Sequence, residues 1–279
     1  MKLTTTRRGF FGTAAGVAGF ASAAGRLSAE IDNEALGFKL GVASYSLRSF
    51  SRADAIKMLQ ELKTPFVSVK DVHLKMDLSP ADTEQAVAEF KAAGLQIMSG
   101  GNISLKKETD VKSAFEYAKR CGMPMIVCIP SHATVKSVEA AVKEYNIRAA
   151  IHNHGPEEKD FPSPESVLEA IHGMDPRMGL CIDVGHTERA GSDPVACISK
   201  AGARLFDMHV KDLRDLAGKD SQCDVGEGKI PFPALFRALK KAGYKGCVNL
   251  EYEINAKNPL PGMQRSFAYM RGVMAGIKG

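Results

Sequence analysis

Strand-like and helix-like segments alternate eight times along this chain of 279 residues. Each apolar run of strand length is followed by a helical pattern, and the alternation continues to the C-terminus. This order is typical of βαβ units joined into one parallel sheet. The predicted strands span residues 38–47, 65–74, 95–101 and 124–130, a fifth that ends within 149–157, and 177–186, 203–212 and 246–253.

Eight such units in roughly 240 residues are the inventory of a barrel in which every strand is followed by a helix. A doubly wound open sheet normally uses fewer strands and carries a glycine-rich phosphate turn after its first strand. The first strand here ends in SYSLRSF, which lacks that turn. The sequence therefore predicts an α/β fold, a single (β/α)8 TIM barrel over residues 38–279.

The first 24 residues have a different character from the rest of the chain. They combine Lys2, Arg7 and Arg8 with an apolar run rich in Ala and Gly, and small residues at Ala21 and Ala23 form an A-x-A cleavage pattern. The paired arginines followed by Gly-Phe-Phe resemble a twin-arginine export signal. We expect residues 1–24 to be a signal peptide, residues 25–37 a linker, and the mature protein to be periplasmic or otherwise exported.

The charge of the mature chain limits its partners. Removing residues 1–23 takes away three basic residues and no acidic one, so the formal charge falls from +5 to +2. No block of Lys and Arg remains that would mark a nucleic-acid groove. No remaining apolar run has the length of a membrane span, so we expect neither nucleic-acid nor membrane partners after signal cleavage.

The six cysteines form no C-x-x-C pair and lie in apolar contexts. We expect buried free thiols without a metal or catalytic role. The last predicted helix carries an apolar stripe at Met263, Phe267, Met270 and Met274, which could pack on its own barrel or on a second copy in a homo-oligomer.

Polar residues follow the fifth predicted strand directly. The stretch AAIHNHGPE brings His152, Asn153, His154 and Glu157 to the point where a parallel strand leaves the core. Alternation along a strand points His152 and His154 to the same side. Two imidazoles on one side are costly to bury unless something engages them.

The next three predicted strands end in the same way. Their polar residues are Asp183 and His186, His209 and Lys211, and Glu251 and Glu253. The carboxyl ends of barrel strands converge on one site, so these side chains can be interpreted as one set. Mixed His and carboxylate ligands suit one Mn²⁺, Zn²⁺, Co²⁺ or Mg²⁺ ion. The alternative roles are a helix N-cap for Asp183 and a core position for His209.

Three segments of this set resemble a known family. Asp183 in CIDVGH, His209 in MHVKD, and the block from GEGKIPF to Glu251 in LEYE are similar to xylose-isomerase-like barrels. That superfamily includes sugar isomerases and epimerases, inosose dehydratases and apurinic-site endonucleases. The resemblance implies that Asp183, His209 and Glu251 bind a divalent metal.

The fifth strand departs from the pattern of that family. Many relatives supply a Glu ligand there, where this chain has HNH. His152 is the predicted substitute ligand, with His154 and Glu157 as its rivals.

These features predict a metal-dependent isomerase or epimerase that acts on a sugar or keto-sugar through an enediolate. Glu251 would act as base, His154 or Glu157 would approach the other face, and Lys211 would stabilise charge on a substrate oxygen. Mn²⁺ is the first choice of ion. The predicted substrate contacts are His73, Asn153, His186 and Glu253.

Three alternatives stay open at this stage. A keto-sugar lyase or dehydratase could use the same site, because loss of a β-substituent starts with the same proton removal. A phosphodiesterase of the apurinic-endonuclease type would use a second metal, and the near-neutral charge disfavours it. A periplasmic sugar-binding protein without catalysis is the third alternative.

Overall fold

Eight short parallel strands form a closed barrel in the computed structural model, which describes residues 36–277. Each strand pairs with its neighbours in chain order, and the eighth pairs with the first, for example Leu40 with Val248. The strands are Lys39–Ala43 (β1), Phe66–Val69 (β2), Gln96–Leu105 (β3), Met125–Pro130 (β4), Arg148–His152 (β5), Met178–Asp183 (β6), Leu205–Val210 (β7) and Cys247–Leu250 (β8). This confirms the predicted (β/α)8 TIM barrel.

Helices connect the strands around the outside of the barrel. They are Arg52–Glu61 (α1), Pro80–Ala92 (α2), Glu108–Arg120 (α3), Val135–Tyr145 (α4), Pro164–Ala170 (α5), Val184–Arg189 (α6), Pro194–Ala201 (α7), Phe232–Lys241 (α8) and Leu260–Ile277 (α9). A two-stranded hairpin, Asp212–Leu213 with Gln222–Cys223, follows β7.

Local sequence explains where the helices begin. The Ser79 hydroxyl accepts the Asp82 N–H at 3.1 Å, and the Ser163 hydroxyl accepts the Ser166 N–H at 3.3 Å. In both cases proline follows at the first helical position, where its missing N–H leaves no bond unmade. The two Ser-Pro dipeptides therefore determine where these helices begin.

Several predicted strands are longer than the observed ones, and the first and the sixth show the reason. The first ends at Ala43 because Ser44–Leu47 form a 3-10 turn. The sixth ends at Asp183 because that residue is the N-cap of α6, which the prediction had included in the strand. In each case a polar side chain at or just beyond the strand end bonds to the backbone and ends the extended conformation. The Ser46 hydroxyl donates to the Ala43 carbonyl, and Asp183 accepts the His186 N–H.

The core lies mainly between the outer faces of the strands and the inner faces of the helices. Inside the barrel a smaller cluster, including Val127, Ala150 and Cys181, fills the space below the carboxyl ends. The apolar stripe of α9 is buried against its own barrel, with Met263, Phe267, Met270 and Met274 at most 1% exposed. The two predicted partners of this stripe were its own barrel and a second copy of the chain. In the structure the stripe contacts its own barrel.

The predicted signal peptide, and the predicted linker up to residue 35, lie outside the described residues. Among residues 36–277, no helix combines the length and the apolar character that a bilayer span requires. All six cysteines lie in this range, and each is a buried free thiol, as predicted.

Candidate metal centre

Strand register brings the polar side chains of β5 to β8 to one end of the barrel. Asp183 is paired with His209, and His152 is paired with Cys181. The Glu251 N–H donates to the Val210 carbonyl at 2.9 Å, which places this carboxylate one residue beyond β8. The predicted convergence of strand ends is therefore the observed arrangement.

Four of these residues direct donor atoms at a common point. His152 Nε2 lies 3.0 Å from His209 Nδ1 and 3.6 Å from Asp183 Oδ2, and His209 Nδ1 lies 3.3 Å from Glu251 Oε1. All four donor atoms lie within 4.8 Å of one another. All four side chains are buried, with Glu251 the most exposed at 7%.

The donor set fits a divalent ion. A tetrahedral ion with bonds of about 2.1 Å holds its donors about 3.4 Å apart, close to the spacings observed here. Asp183 Oδ2 is buried and makes no hydrogen bond among the described residues, so the Lys211 ammonium at 3.2 Å leaves room for a further cationic partner. The two carboxylates can balance the charge of one divalent cation. Burial opposes the charged form of His209, but Glu251 outweighs it and raises the pKa of this ring, so a metal would have to displace a proton there. The site can therefore hold one divalent metal.

The protonation states of His152, at the end of β5, and Glu251, just beyond β8, suit metal binding. Burial, helped by the neighbouring His154 and His209, holds the pKa of His152 well below its usual range, so the ring is neutral at pH 7. Burial opposes ionisation of Glu251, but Lys211 and His209 outweigh it and hold the pKa of this carboxyl well below its usual range. Neutral imidazole and ionised carboxylate are the metal-binding forms.

Lys211 is the charge partner of the acidic side chains. Its ammonium lies 3.2 Å from Asp183 Oδ2 and 2.9 Å from Glu251 Oε2, and it also contacts Glu253. Burial opposes its charge, but Asp183, Glu251 and Glu253 raise the pKa of Lys211 well above its usual range. A buried cation is thus held next to the donor set.

The two carboxylate oxygens of Asp183 make different contacts. Its Oδ1 accepts the His186 N–H at 2.8 Å and caps α6, while its Oδ2 faces His152 and Lys211. The N-cap and the ligand, which were alternatives in the sequence, are both compatible with the structure.

Two predicted substrate contacts are used inside the fold. The Asn153 amide accepts the Asp183 N–H at 3.0 Å and donates to the Thr187 hydroxyl at 3.1 Å, and it is fully buried. His73 is 1% exposed, and its Nε2 donates to the Leu47 carbonyl at 3.2 Å. The polar atoms of both residues are engaged within the fold, and the substrate contact expected for each stays a prediction.

His154 and Glu157, the rivals of His152 as ligand, lie outside the four-donor group. His154 Nδ1 lies 3.0 Å from His152 Nδ1, on the opposite edge of that ring from the donor Nε2. The Glu157 carboxylate is paired with Arg189, whose Nη1 also donates to His186 Nδ1 at 3.2 Å. His152 is therefore the strand-five residue that fits the ligand position.

A cavity of about 300 Å³ opens beside this centre. His186, Lys211 and Glu253 line it, together with Lys219 and Gln222 from the loop after β7. A cavity of this size is suited to a small polar molecule. A larger cavity of about 790 Å³ lies among the amino ends of the strands and contains none of the four donors.

Sequence reasoning missed several residues that surround the donors. Asn102 on β3 approaches His154, and Asp207 and Asn249 lie two residues before His209 and Glu251 on their strands. The spacing of two was a usable signal for Asp207 and Asn249, because such residues face the same interior. The thiol of Cys181, also two residues before a ligand, lies within 4.8 Å of the His152 and His209 donors.

The glycine-rich segment after the hairpin folds around Asp212. This carboxylate accepts backbone N–H groups of Gly226, Gly228 and Ile230 at 2.9 to 3.1 Å. A side chain at Gly228 would collide with Asp212, so glycine is required at that position. The GEG motif thus shapes the loop that leads from the cavity to α8.

Comparison with known proteins agrees with this architecture. An inosose dehydratase from Mesomycoplasma hyopneumoniae is 28% identical over 153 residues, covering 48% of this chain and 50% of that protein. An inosose isomerase from Halalkalibacterium halodurans is 23% identical over 181 residues, covering 54% of this chain and 63% of that protein. This chain spans about half of the length of the curated relatives it matches.

A solved structure has the same fold. The IOLI protein, crystallised with a bound zinc atom, superposes with a TM-score of 0.72 at 17% identity and covers 86% of this chain and 99% of its own. The family described as Xylose isomerase-like TIM barrel matches residues 56–273. With its closed eight-stranded barrel and this match over most of its length, the chain belongs to the family of xylose isomerase-like TIM barrels.

Proposed function

We propose that this protein is a divalent-metal-dependent isomerase or epimerase of a sugar or keto-sugar. The observation that carries the proposal is the convergence of His152, Asp183, His209 and Glu251 within 4.8 Å. Lys211, which contacts Asp183 and Glu251, links this group to a small cavity. Relatives named inosose dehydratase and inosose isomerase support a carbohydrate-like substrate.

The reaction requires removal of a proton from a carbon next to a carbonyl. Glu251 is the proposed base, because its carboxyl is ionised and lies 2.9 Å from the ammonium of Lys211, which lines the cavity. A bound divalent ion would supply Lewis-acid stabilisation of negative charge on the substrate oxygens. His152, Asp183, His209 and Glu251 would hold that ion.

Lys211 supports the same step from the protein side. Its ammonium lies 2.9 Å from the Glu251 carboxylate and also lines the cavity, so it can donate to a substrate oxygen that gains charge. His186 and Glu253 line the same cavity and are the proposed contacts for substrate hydroxyls. Return of the proton to the opposite face gives an epimer, and return to the neighbouring carbon gives an isomer.

A dehydratase is the second candidate. The relative named inosose dehydratase favours it, and the same proton removal followed by loss of a β-hydroxyl as water completes that reaction. The two candidates differ in the product, since isomerisation conserves the mass of the substrate and dehydration removes one water.

The ion that we propose is Mn²⁺, because two carboxylate oxygens and two imidazoles suit it as well as Zn²⁺. The solved relative with a bound zinc atom makes Zn²⁺ the ion to compare. Metal analysis of the purified protein, after growth with each ion, should give one ion per chain. Absence of any bound ion would contradict the proposed function.

Turnover is tested by incubating keto-sugars and inososes with the metal-loaded protein in D₂O. Deuterium should enter a substrate carbon, and Glu251→Gln should abolish its incorporation because the amide cannot accept the proton. Glu227→Gln is the matched control, since that side chain is paired with Arg214 in an exposed loop. Equal deuterium incorporation by the Glu251→Gln variant would exclude this residue as base.

We also propose that the chain is exported through its twin-arginine-like N-terminus. Replacing both Arg7 and Arg8 by Lys should leave the protein in the cytoplasmic fraction, whereas the unaltered chain should enter the periplasmic fraction. Equal distribution of the two forms would contradict this localisation.

A further inference from the structure

A chain of three polar side chains leads from the donor set toward β3. His152 Nδ1 lies 3.0 Å from His154 Nδ1, and His154 Nε2 lies 3.4 Å from Asn102 Nδ2. His152 is 1% exposed and His154 is half-buried, so water does not replace these contacts freely. The protons along this chain must therefore be arranged consistently.

The metal-facing atom determines the first proton. His152 Nε2 is the nitrogen that lies near His209 Nδ1 and Asp183 Oδ2, and it must offer a lone pair to bind an ion. A neutral imidazole carries one N–H, so the proton of His152 is on Nδ1. The only ring atom within 3.0 Å of that N–H, among the contacts of the described residues, is His154 Nδ1.

The second proton follows from the first. His154 Nδ1 accepts from His152, so the neutral His154 ring carries its own proton on Nε2. That N–H faces the Asn102 carboxamide, whose nitrogen cannot accept it. Asn102 Oδ1, however, is buried and without a hydrogen-bond partner within residues 36–277.

A half-turn of the Asn102 carboxamide resolves both mismatches. Amide oxygen and nitrogen have nearly the same shape, so the turn leaves the packing unchanged. It places Oδ1 within reach of the His154 N–H and gives this buried oxygen a partner. One rotation thus completes the series in which His152 donates to His154 and His154 donates to Asn102.

We propose that His154 and Asn102 are positioning residues that hold His152 in the tautomer able to bind the ion. This inference depends on the proposed function, because it requires the metal site. A carboxylate ligand has no tautomers and needs no such control. The imidazole of His152 does need it, and a second residue must accept its Nδ1 proton.

The proposal changes the role predicted for His154. In this proton arrangement Nδ1 accepts from His152 and Nε2 donates to Asn102, so His154 has no free lone pair to take a proton from substrate. His154 then acts through His152 rather than as an acid or base.

Metal affinity of the full-length protein tests the proposal. Zn²⁺ binding is measured by chelator competition for Asn102→Leu and His154→Phe, which remove the acceptors while conserving size or ring shape. We expect each variant to bind Zn²⁺ about 10–100-fold more weakly than the unaltered protein. Asn102→Asp, whose carboxylate accepts from His154, should retain or exceed the original affinity.

A histidine outside the site provides the control. His132 packs against Phe161 with ring centroids 5.1 Å apart, and His132→Phe should leave Zn²⁺ affinity unchanged. Unchanged affinity in Asn102→Leu and His154→Phe would overturn the proposal. If the unaltered protein itself binds no Zn²⁺ or Mn²⁺, the proposed function fails instead, so the two failures are distinguishable.

Side-chain nitrogen NMR of the Zn²⁺-loaded protein gives a second readout that needs no variant. The spectrum should show a proton on Nδ1 of His152 and a proton on Nε2 of His154. A proton on Nδ1 of His154 would refute the proposed series even if the variants fail to fold.

Discussion

Asp207 offers a test of how burial of a carboxyl group, two residues before His209, affects the stability of the protein. Its carboxylate is fully buried on β7, and its Oδ2 has no hydrogen-bond partner in the described part of the chain. Burial outweighs the attraction of His209 and the bond donated by the Asn249 amide, and raises the pKa of Asp207 from 3.8 to about 7. Asp207→Asn conserves the shape of the side chain and removes its ability to ionise.

The magnitude follows from linkage. Between about pH 4 and pH 7 the folded chain keeps a proton that the unfolded chain releases, so stability falls as the pH rises through this window. A difference of about three pKa units corresponds to about 4 kcal/mol of unfolding free energy. Above pH 7 the unfolding free energy of the protein is lower than at pH 4 by this full amount. The Asp207→Asn variant avoids this loss, and its advantage over the unaltered protein should grow by about 4 kcal/mol from pH 4 to pH 8.

Urea unfolding followed by circular dichroism, in EDTA and at several pH values, measures this difference. In thermal unfolding the gain corresponds to a rise of about 8–16 °C at pH 8 for a chain of this size. Asp212→Asn is the control, because backbone N–H groups bind both of its carboxylate oxygens, and it should destabilise the protein. A stability gap between Asp207→Asn and the unaltered protein that is the same at pH 5 and pH 8 would refute the reasoning.

Three further predictions concern stability. Lys211→Met should lower the unfolding free energy of the metal-free protein by about 3–5 kcal/mol, because buried carboxylates lose their cation, and added Zn²⁺ should restore part of it in thermal scans. Ser46→Ala should cost about 1–3 kcal/mol in urea unfolding, since its buried hydroxyl joins the end of β1 to the segment after β8 with two bonds of 2.8 Å. Gly228→Ala should lower the unfolding free energy by about 1–3 kcal/mol through collision with Asp212, seen as a lower melting temperature, whereas Gly272→Ala, with open space around it, should not.

The fold was predictable because its signal is repeated. Each strand-helix unit has its own apolar period, and at least one helix follows every barrel strand in the structure, as predicted. Strand ends were less predictable, because side-chain capping decides them. Asp183 ended a strand and started a helix through one hydrogen bond that no apolar pattern reveals.

The site was predictable where chain order determines position. His152, Asp183, His209 and Glu251 meet because parallel strands end on the same rim. Contacts between non-adjacent strands were not predictable, as the approach of Asn102 on β3 to His154 illustrates. The internal partners of a polar side chain were also hidden, such as the hydrogen bonds that Asn153 makes with Asp183 and Thr187.

The four donors are spread along the chain from residue 152 to residue 251. During synthesis the ribosome releases His152 well before Glu251, and the seam between β1 and β8 closes only when the last strand arrives. An ion that engages all four side chains can thus be captured only by a fully translated, fully closed barrel. A bound ion would accordingly distinguish complete, closed barrels from incompletely translated or incompletely closed chains.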